Sequence, residues 1–423
     1  MPGTVDGRVS TRVTPALRAR LRESAERTDT TAAPDHEALA ELRRSGLLAT
    51  AVPRAYGGAG GTATDVNRVV ARLAEVNPSL AIIAFQHFAV SARITEWGSP
   101  EQHARLLPAL ADGSCLAASS WSETGAGAAK QNLSSTAVRQ TDGRWRIDAA
   151  KSFTTGAGIA DLYLLLVRTG PARAVTHDGH HDDDADGRGL DSGHNSGHSS
   201  GQDSGRDADD GGGDGHHDRG LDGDDDGYGA PGQTFFLVPA DLPGIVPDLG
   251  LDLVGMRGSA TGLISFEGCV VDDDARLGPP GRAAAIISGV RSSGATLGAV
   301  SIGIAQAALN LALDHAQRRG LLALPAVRQR LAALATRLES ARGLVELAGA
   351  RITENPGLTT LHSKLHASET AEEICLQAAR MLGSSGYLTG TPLNRLLADA
   401  RGVSLMGPTN DLCRDILAAS WPS

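Results

Sequence analysis

The chain has 423 residues, of which 41% are hydrophobic and 21% are charged, and its formal net charge is −10. This length and composition are ordinary for a globular protein of two or three modules. The acidic charge is concentrated in residues 171–232, which hold 16 Asp and 4 Arg but no Glu or Lys. The rest of the chain is therefore close to neutral. It lacks the clustered basic face that nucleic-acid binding needs.

The N-terminal part, residues 1–113, is predicted to be a helical domain. The strings "PALRARLRESAER" and "DHEALAELRRSGLLA" carry apolar residues at helical spacing. The glycine turn "YGGAGG" precedes a further helical pattern, but it has neither the lysine nor the strand-to-helix context of a phosphate loop. The string "SPEQHARLLPALADG" predicts one more helix, with Ser99 as its N-cap.

The sequence has no clear targeting segment and no cysteine pattern typical of disulfides or metal sites. The opening "MPGTVDGRVSTRV" is unlike a secretory signal, and no run reaches the ~18 apolar residues of a membrane span. The four cysteines lie far apart and form no CxxC pair, which argues against a disulfide framework or a zinc site. We therefore expect a cytoplasmic protein with no membrane partner and no bound metal.

Residues 114–278 are predicted to form a β-domain. The strings "RWRIDAAKSFTTG", "ADLYLLLVRTG", "QTFFLVPAD" and "TGLISFEGCVV" are short, rich in β-forming residues and bounded by turns. The domain is interrupted by residues 171–232, where Gly, Asp, His and Ser dominate. Such a composition cannot bury enough apolar area to offset chain entropy, so we predict a disordered insertion between two strands. Weak nickel or zinc binding by its His and Asp tracts is the alternative.

Residues 279–423 are predicted to be helical again. The string "GATLGAVSIGIAQAALNLALDHAQRR" is rich in small residues and apolar on most faces, which is typical of a core helix. Two amphipathic stretches, "PAVRQRLAALATRLESARGLVELAGARI" and "LHSKLHASETAEEICLQAARMLG", follow with short connections and should pack antiparallel. The order of helices, strands and helices predicts an α+β fold.

Several strings, taken in this order, resemble the acyl-CoA dehydrogenase family. "SSWSETGAGAAKQNL" is similar to that family's flavin-binding "TEPGAGSD" turn, and "KSFTTGAGIADLYLLLVRT" is similar to the strand that follows it. "VGMRGSATGLISFEGCVV", "MLGSSGY" and "PLNRLLADAR" resemble later family segments. The resemblance covers nearly the whole chain apart from the insertion. It implies an N-terminal helical domain, a central β-barrel-like domain and a C-terminal four-helix bundle, with FAD as the cofactor.

The resemblance places four residues at the flavin ring. A flavin needs hydroxyl and backbone donors at the polar edge of its ring and an aromatic group at its face. Ser122 takes the place of a family Thr that bonds the ring edge, and Trp121 lies beside it. Phe153 replaces a Trp next to the ring, and Thr155 matches a Thr near the flavin N5. Taken singly, these residues could equally be a turn Ser, a core Phe and a strand Thr.

The resemblance also implies contacts to the dinucleotide end of FAD. Arg318 falls where the family places an Arg on the pyrophosphate of the neighbouring subunit's FAD, which implies a homodimer or homotetramer. An aromatic adenine contact of the family is replaced by Leu321, and the family's "LGGNGY" reads "LGSSGY" here. The remaining positions carried over to this end of the cofactor are Gln329, Gly383, Thr409 and Asp411.

The catalytic base expected from the resemblance is missing. In the family, a Glu on the last loop removes the α-proton of the thioester while the β-hydride moves to flavin N5. Aligning "MGPTNDLCRDILA" with that loop places Gly407 on the Glu. Some relatives take the base from the helix that opens the bundle, but Ser293 stands at that position and Gly294 stands on a nearby family Arg. A positioned base contributes about 10²–10⁴-fold to the rate, so its loss matters.

Three interpretations therefore remain open. The first is a flavin oxidoreductase acting on an acyl-CoA or acyl-carrier-protein thioester, with an electron-transfer flavoprotein or O₂ as acceptor. Its nearest carboxylates in the sequence, Glu123 and Asp411, are more plausibly structural or solvent-facing. The second is a flavin-dependent monooxygenase of the same fold, in which His87 could donate a proton unless it is a core histidine. The third is a non-catalytic subunit paired with an active homologue.

Overall fold

A computed structural model of the chain describes residues 13–126, 130–170 and 229–421. The predicted insertion lies outside the described residues except for its last four positions, and so does Ala128, where the family has a Ser. In the part of the chain that is described, no helix is long and apolar enough to cross a bilayer. The predicted succession of helices, strands and helices is confirmed.

Helices dominate the first hundred residues because each apolar pattern is preceded by a good N-cap. The helices are α1 (Pro15–Thr31), α2 (His36–Arg44), α3 (Ala63–Ala74), α4 (Pro78–Trp97) and α5 (Pro100–Asp112). The predicted cap at Ser99 is confirmed, and it forms a capping box with Gln102. α4 is buried on nearly all faces and forms the centre of this layer.

The central module is one mixed sheet of eight strands. The strands are β1 (Ala117–Ser120), β2 (Thr136–Arg139), β3 (Trp145–Thr154), β4 (Leu162–Arg168), β5 (Gln233–Pro239), β6 (Ile245–Asp248), β7 (Gly262–Val271) and β8 (Arg276–Leu277). Their order is β6-β7-β3-β2-β4-β5-β8, with β1 parallel to β4, so the sheet described here is open. The sheet is nevertheless curved. Its curvature is visible from the ring centroids of Tyr163 on β4 and Phe266 on β7, which are 5.9 Å apart although the two strands are not neighbours.

The acidic insertion is bounded by β4 and β5, which are neighbouring strands of the sheet. β4 and β5 are antiparallel neighbours, and their last pair is Arg168 with Gln233. Beyond this pair, the Thr169 amide donates to the Gly232 carbonyl at 2.8 Å. The described residues Gly170 and Gly232 are therefore held together by ladder and turn hydrogen bonds. A long segment is tolerated at such a point because loop-closure entropy grows only slowly with length.

The last third of the chain is a helical bundle. Its helices are α6 (Ala283–Ser292), α7 (Gly298–Arg318), α8 (Pro325–Ala350), α9 (Pro356–Leu382), α10 (Pro392–Leu405) and α11 (Asn410–Ala419). α9 packs against α7, α8 and α10, and α3 of the N-terminal layer packs on α7 and α8. Gly303 permits this approach, since a Cβ there would overlap the Ala71 carbonyl. The bundle and the N-terminal helices consequently share one apolar core.

A buried carboxyl joins the bundle to the β-module. Asp399 on α10 is 3% exposed and accepts a hydrogen bond from the Met256 amide in the segment before β7. Burial raises the pKa of Asp399 to about 7, although the Met256 amide and Arg395 both favour the ionised form. The unfolded carboxyl titrates near pH ~3.9. The folded protein thus binds more protons than the unfolded chain between these two values, and its stability falls as the pH rises through them.

We expect Asp399→Asn to remove this pH dependence. Asn keeps an acceptor for the Met256 amide but cannot ionise. Between pH ~5 and pH ~8 the native protein should lose about 3 kcal/mol of stability that the variant retains, at about 1.4 kcal/mol per pKa unit. Urea unfolding at the two pH values measures this difference. Equal pH slopes for the two proteins would show that Asp399 does not titrate in this range.

Candidate functional site

The ends of β1 and β3 lie side by side and assemble the four residues predicted at the flavin ring. The Ser152 amide donates to the Ser122 carbonyl at 2.9 Å, and the hydroxyls of Ser120 and Thr154 are 3.1 Å apart. These contacts place Trp121 and Ser122, which follow β1, beside Phe153 and Thr155 near the end of β3. Residues from two separate strings are thereby brought to one edge of the sheet.

Phe153 is held in an unusual conformation at this edge. Its φ is +51°, in the left-handed region that non-glycine residues avoid, and its side chain is 66% exposed. The strain coincides with a register shift between β3 and β7, where the pairing jumps from Lys151 to Thr154. The interpretation of Phe153 as a core Phe is therefore wrong. An exposed aromatic side chain on strained backbone is typical of a ligand-binding position.

Trp121, which lies across the strand ends from Phe153, has a buried indole N–H without a hydrogen-bond partner among the described residues. Its ring packs against Phe235 with centroids 5.0 Å apart. A buried indole N–H normally finds an acceptor. Thr155 is buried, and its hydroxyl lies 3.0 Å from that of Thr261. The edge therefore combines a buried N–H without a described partner, a buried pair of hydroxyls and an exposed ring, which are the kinds of group that a flavin contacts.

Glu123 is not available as a base. Its carboxylate pairs with the Lys151 ammonium at 2.6 Å and accepts hydrogen bonds from the Ser134 amide at 2.6 Å and the Ser134 hydroxyl at 2.7 Å. Burial alone would raise the pKa of Glu123, but Lys151 and the serine donors outweigh it and lower the pKa to about 2. The ion pair secures the turn after Ser122 to β3, and its role is structural.

The loop between α10 and α11 carries no buried carboxylate at the base position. Gly407 is exposed, Thr409 caps α11 by accepting from the Leu412 amide at 3.3 Å, and the side chain of Asp411 is 91% exposed and paired with Arg414. Asp411 therefore faces solvent and is unsuited to act as a base. Behind the loop, the Lys364 ammonium on α9 donates to the Asn410 side chain at 2.7 Å and to the Ser404 carbonyl at 3.3 Å.

Sequence reasoning missed Lys364 as the residue that holds this loop. It is 2% exposed, and burial lowers its pKa to about 8. The sequence signal that could have found it is its position on the apolar face of α9, where a lysine needs polar partners.

The alternative base position is occupied by a helix cap. The Ser293 hydroxyl donates to the Val290 carbonyl at 2.7 Å at the end of α6. At Gly294, where the family has an Arg, φ is +80° and a Cβ would overlap the Ala348 carbonyl, so only glycine fits. Arg291, three residues earlier, is half-buried. Ser293 also lines an apolar cavity of about 120 Å³ between α4, α6 and the start of α3.

The residues predicted at the dinucleotide end are on the surface of this chain. Arg318 at the end of α7 is exposed and pairs with Asp314 in the same helix, and Gln329 is exposed near the start of α8. Gly383 follows α9 with φ of +62°, also exposed. These positions are not joined to the strand-end residues by any described contact within one chain, and their role toward a second subunit stays a prediction.

His87 is a core histidine. It is fully buried in α4, and its Nδ1 accepts from the Ala117 amide at 3.4 Å, at the start of β1. Burial lowers its pKa to about 4, so the imidazole is neutral at pH ~7. The histidine supports the packing of β1 on α4, which agrees with the structural alternative given for it above.

Comparisons with known proteins agree with the geometry. Residues 9–114 match the model for the acyl-CoA dehydrogenase N-terminal domain, and residues 284–421 match the C-terminal domain model. The chain is 26% identical over 394 residues to the "probable acyl-CoA dehydrogenase fadE25" of Mycobacterium tuberculosis, covering 90% of this chain and 86% of that protein.

Two further comparisons extend the likeness. The chain is 28% identical over 385 residues to an L-prolyl-[peptidyl-carrier protein] dehydrogenase of Pseudomonas fluorescens, covering 88% of this chain and 87% of that one. In structure it is similar to butyryl-CoA dehydrogenase from Megasphaera elsdenii, with a TM-score of 0.75, 21% identity and coverage of 97% and 98% of the two chains. The last comparison bears on the fold.

Proposed function

This chain belongs to the acyl-CoA dehydrogenase family, and we propose that it binds FAD and oxidises an acyl thioester between its α and β carbons. The observation that carries the proposal is the strand-end site, where the exposed and strained Phe153 lies across the strand ends from Trp121, whose buried Nε1 has no hydrogen-bond partner among the described residues. The resemblance to a dehydrogenase of a carrier-protein thioester keeps both CoA and carrier-protein substrates within the proposal.

The residues present fit FAD at its ring. Trp121 and Ser122 would hold the polar edge of the ring, and Phe153 and Thr155 would lie at its face. When bound, FAD supplies the acceptor for the β-hydride. The chain itself orients the thioester and excludes water, while the Glu123–Lys151 pair keeps the turn after β1 in place. Both family positions for the α-proton base lack a carboxylate, so we expect slow turnover of ordinary acyl thioesters.

We propose that the protein works as a homodimer or homotetramer. Arg318, Gln329 and Gly383 are exposed in one chain, and the family resemblance places Arg318 on the FAD of a neighbouring subunit. Thr409 and Asp411 are placed at the same end of the cofactor by the family resemblance alone. The proposed electron acceptor is an electron-transfer flavoprotein or O₂, as in the family that the chain resembles.

The visible spectrum of the purified protein tests the proposal. A yellow protein that an acyl thioester bleaches under anaerobic conditions is the expected result. Loosely held flavin, with activity that requires a separate reductase, would instead identify the protein as a flavin-dependent monooxygenase of the same fold. A colourless protein that copurifies with a homologue, and that takes up no FAD on addition, would identify a non-catalytic subunit.

Phe153→Gly should weaken FAD binding by about tenfold. The change removes an aromatic contact worth about 0.5–1.5 kcal/mol beyond its buried area, and it relieves left-handed strain, so stability without FAD should not fall. Fluorescence titration of the apoprotein with FAD measures the affinity. Val138→Gly, at another exposed strand position, is the matched control and should bind FAD normally. Unchanged affinity in Phe153→Gly would remove this side chain from the site.

A further inference from the structure

The cavity beside Ser293 is small and partly open to solvent. Its lining includes Ala89 and Ala92 on α4, Ala295 after α6, and the rings of Phe85 and Phe88. Its volume of about 120 Å³ is below that of an engineered apolar cavity of about 150 Å³ that admits benzene. The cavity therefore has room for a tail of roughly five non-hydrogen atoms, not for a long acyl chain.

One charged side chain lines this otherwise apolar space. Arg93 on α4 is 4% exposed, and its Nη1 lies 2.6 Å from Oε2 of Glu96. The contact lacks hydrogen-bond geometry, so this buried nitrogen has no aligned acceptor among the described residues. The side chain of Glu96 is 46% exposed, so its carboxylate also faces solvent. The guanidinium has five N–H donors, more than one half-exposed carboxylate can satisfy.

The surrounding backbone makes room for this guanidinium. At Gly289 on α6, a Cβ would lie 2.6 Å from Arg93 Nη1, so any side chain there would push the guanidinium aside. Arg351 contributes further positive charge near Arg93, against the single negative charge of Glu96. Burying a charged group without full pairing is costly, and an arginine that lines a largely apolar cavity is matched best by a bidentate anion.

We propose that this cavity holds the tail of a short acyl thioester that ends in a carboxylate, and that Arg93 binds this carboxylate. The inference rests on the proposed function and names the substrate class for the same site. Ser293 lines the same cavity, and the family resemblance puts Ser293 at the alternative base position, which supports a location of the tail near the reacting carbons. Arg93 is a specificity residue in this assignment.

Calorimetric titration of the protein as purified tests the inference. The probes are S-glutaryl-pantetheine and S-(5-methylhexanoyl)-pantetheine, whose tails have the same size and shape but end in a carboxylate or an isopropyl group. Pantetheine is common to CoA and carrier proteins, so the carrier does not affect the comparison. We expect the carboxylate-ended thioester to bind at least tenfold more tightly. Arg93→Gln should reduce this ratio below about twofold by weakening only the charged ligand.

Two further variants test whether the position of the Arg93 guanidinium causes the preference for the carboxylate-ended tail. Gly289→Ala keeps every charge but displaces the guanidinium, and it should lower the ratio severalfold in a helix that alanine favours. Arg68→Gln removes a surface arginine paired with Glu346 and should leave the ratio unchanged. Preference for the isopropyl tail, or a ratio unaffected by Arg93→Gln, would overturn the inference and leave the proposed function intact. Failure of both thioesters to bind would overturn the two together.

Discussion

The double substitution Gly407→Glu, Pro408→Gly is expected to raise the rate of flavin reduction by an acyl thioester by about 10²–10⁴-fold. It restores a carboxylate and its following glycine at the family's base position, in a loop that Lys364 already holds through Asn410 and Ser404. Gly407 is exposed and its φ is not positive, so its φ does not restrict the position to glycine. Stopped-flow anaerobic bleaching of the bound flavin measures the rate.

The matched control for the restored base is Gly407→Gln, Pro408→Gly. It has the same size and the same loop change but cannot accept the α-proton, so it should react as slowly as the native protein. The rate gained by the glutamate variant should rise with pH through the pKa of the new carboxyl group. Equal rates for the two variants would show that this loop does not face the reacting carbon.

Lys151→Met is expected to destabilise the protein by about 3–5 kcal/mol. The Lys151 ammonium is fully buried against Glu123, and removing one partner of a buried ion pair leaves an uncompensated charge. Because Glu123 also binds the backbone at Ser134 and Ser135, the turn that carries Ser122 should loosen, and FAD affinity should fall with stability. Urea unfolding and FAD titration of the same preparation measure the two effects.

Two controls separate the buried pair from charge in general. Lys151→Met combined with Glu123→Gln removes both charges and should recover part of the lost stability. Arg144→Met breaks an exposed pair with Asp142, whose side chains are about half accessible, and should cost less than about 1 kcal/mol. A loss below about 1 kcal/mol in Lys151→Met would mean that Glu123 is solvated or protonated in the native protein.

Much of the fold could be predicted from local pattern. Helical spacing and a capping residue act within one or two turns, so α5 and its Ser99 cap were predictable from the string itself. Short runs of β-forming residues with flanking turns located β3, β4, β5 and β7 in the same way. The open edge of the sheet was not predictable, because strand order depends on pairing between strings that are distant in the chain.

The site was predictable only in part. Ser122, Phe153 and Thr155 could be selected by resemblance, but the exposure of Phe153 arises from a register shift against β7 that no local pattern shows. Gly294 illustrates the same limit: its replacement of a family arginine can be read from the string, whereas its cause, the Ala348 carbonyl, lies fifty-four residues away. No sequence pattern singled out Arg93, because its burial arises only from packing in the folded chain.

The sequence by itself determined the elements of this protein, its family resemblance and the lack of a carboxylate at Gly407 and Ser293, because these depend on residue identity and short-range spacing. The tertiary structure alone decided that Glu123 is neutralised by Lys151 and that Arg93 lines a short apolar cavity. Burial and pairing of a charge depend on groups that arrive from other elements. The free energy of an ionised side chain is therefore set by the folded surroundings, which no single stretch of sequence contains.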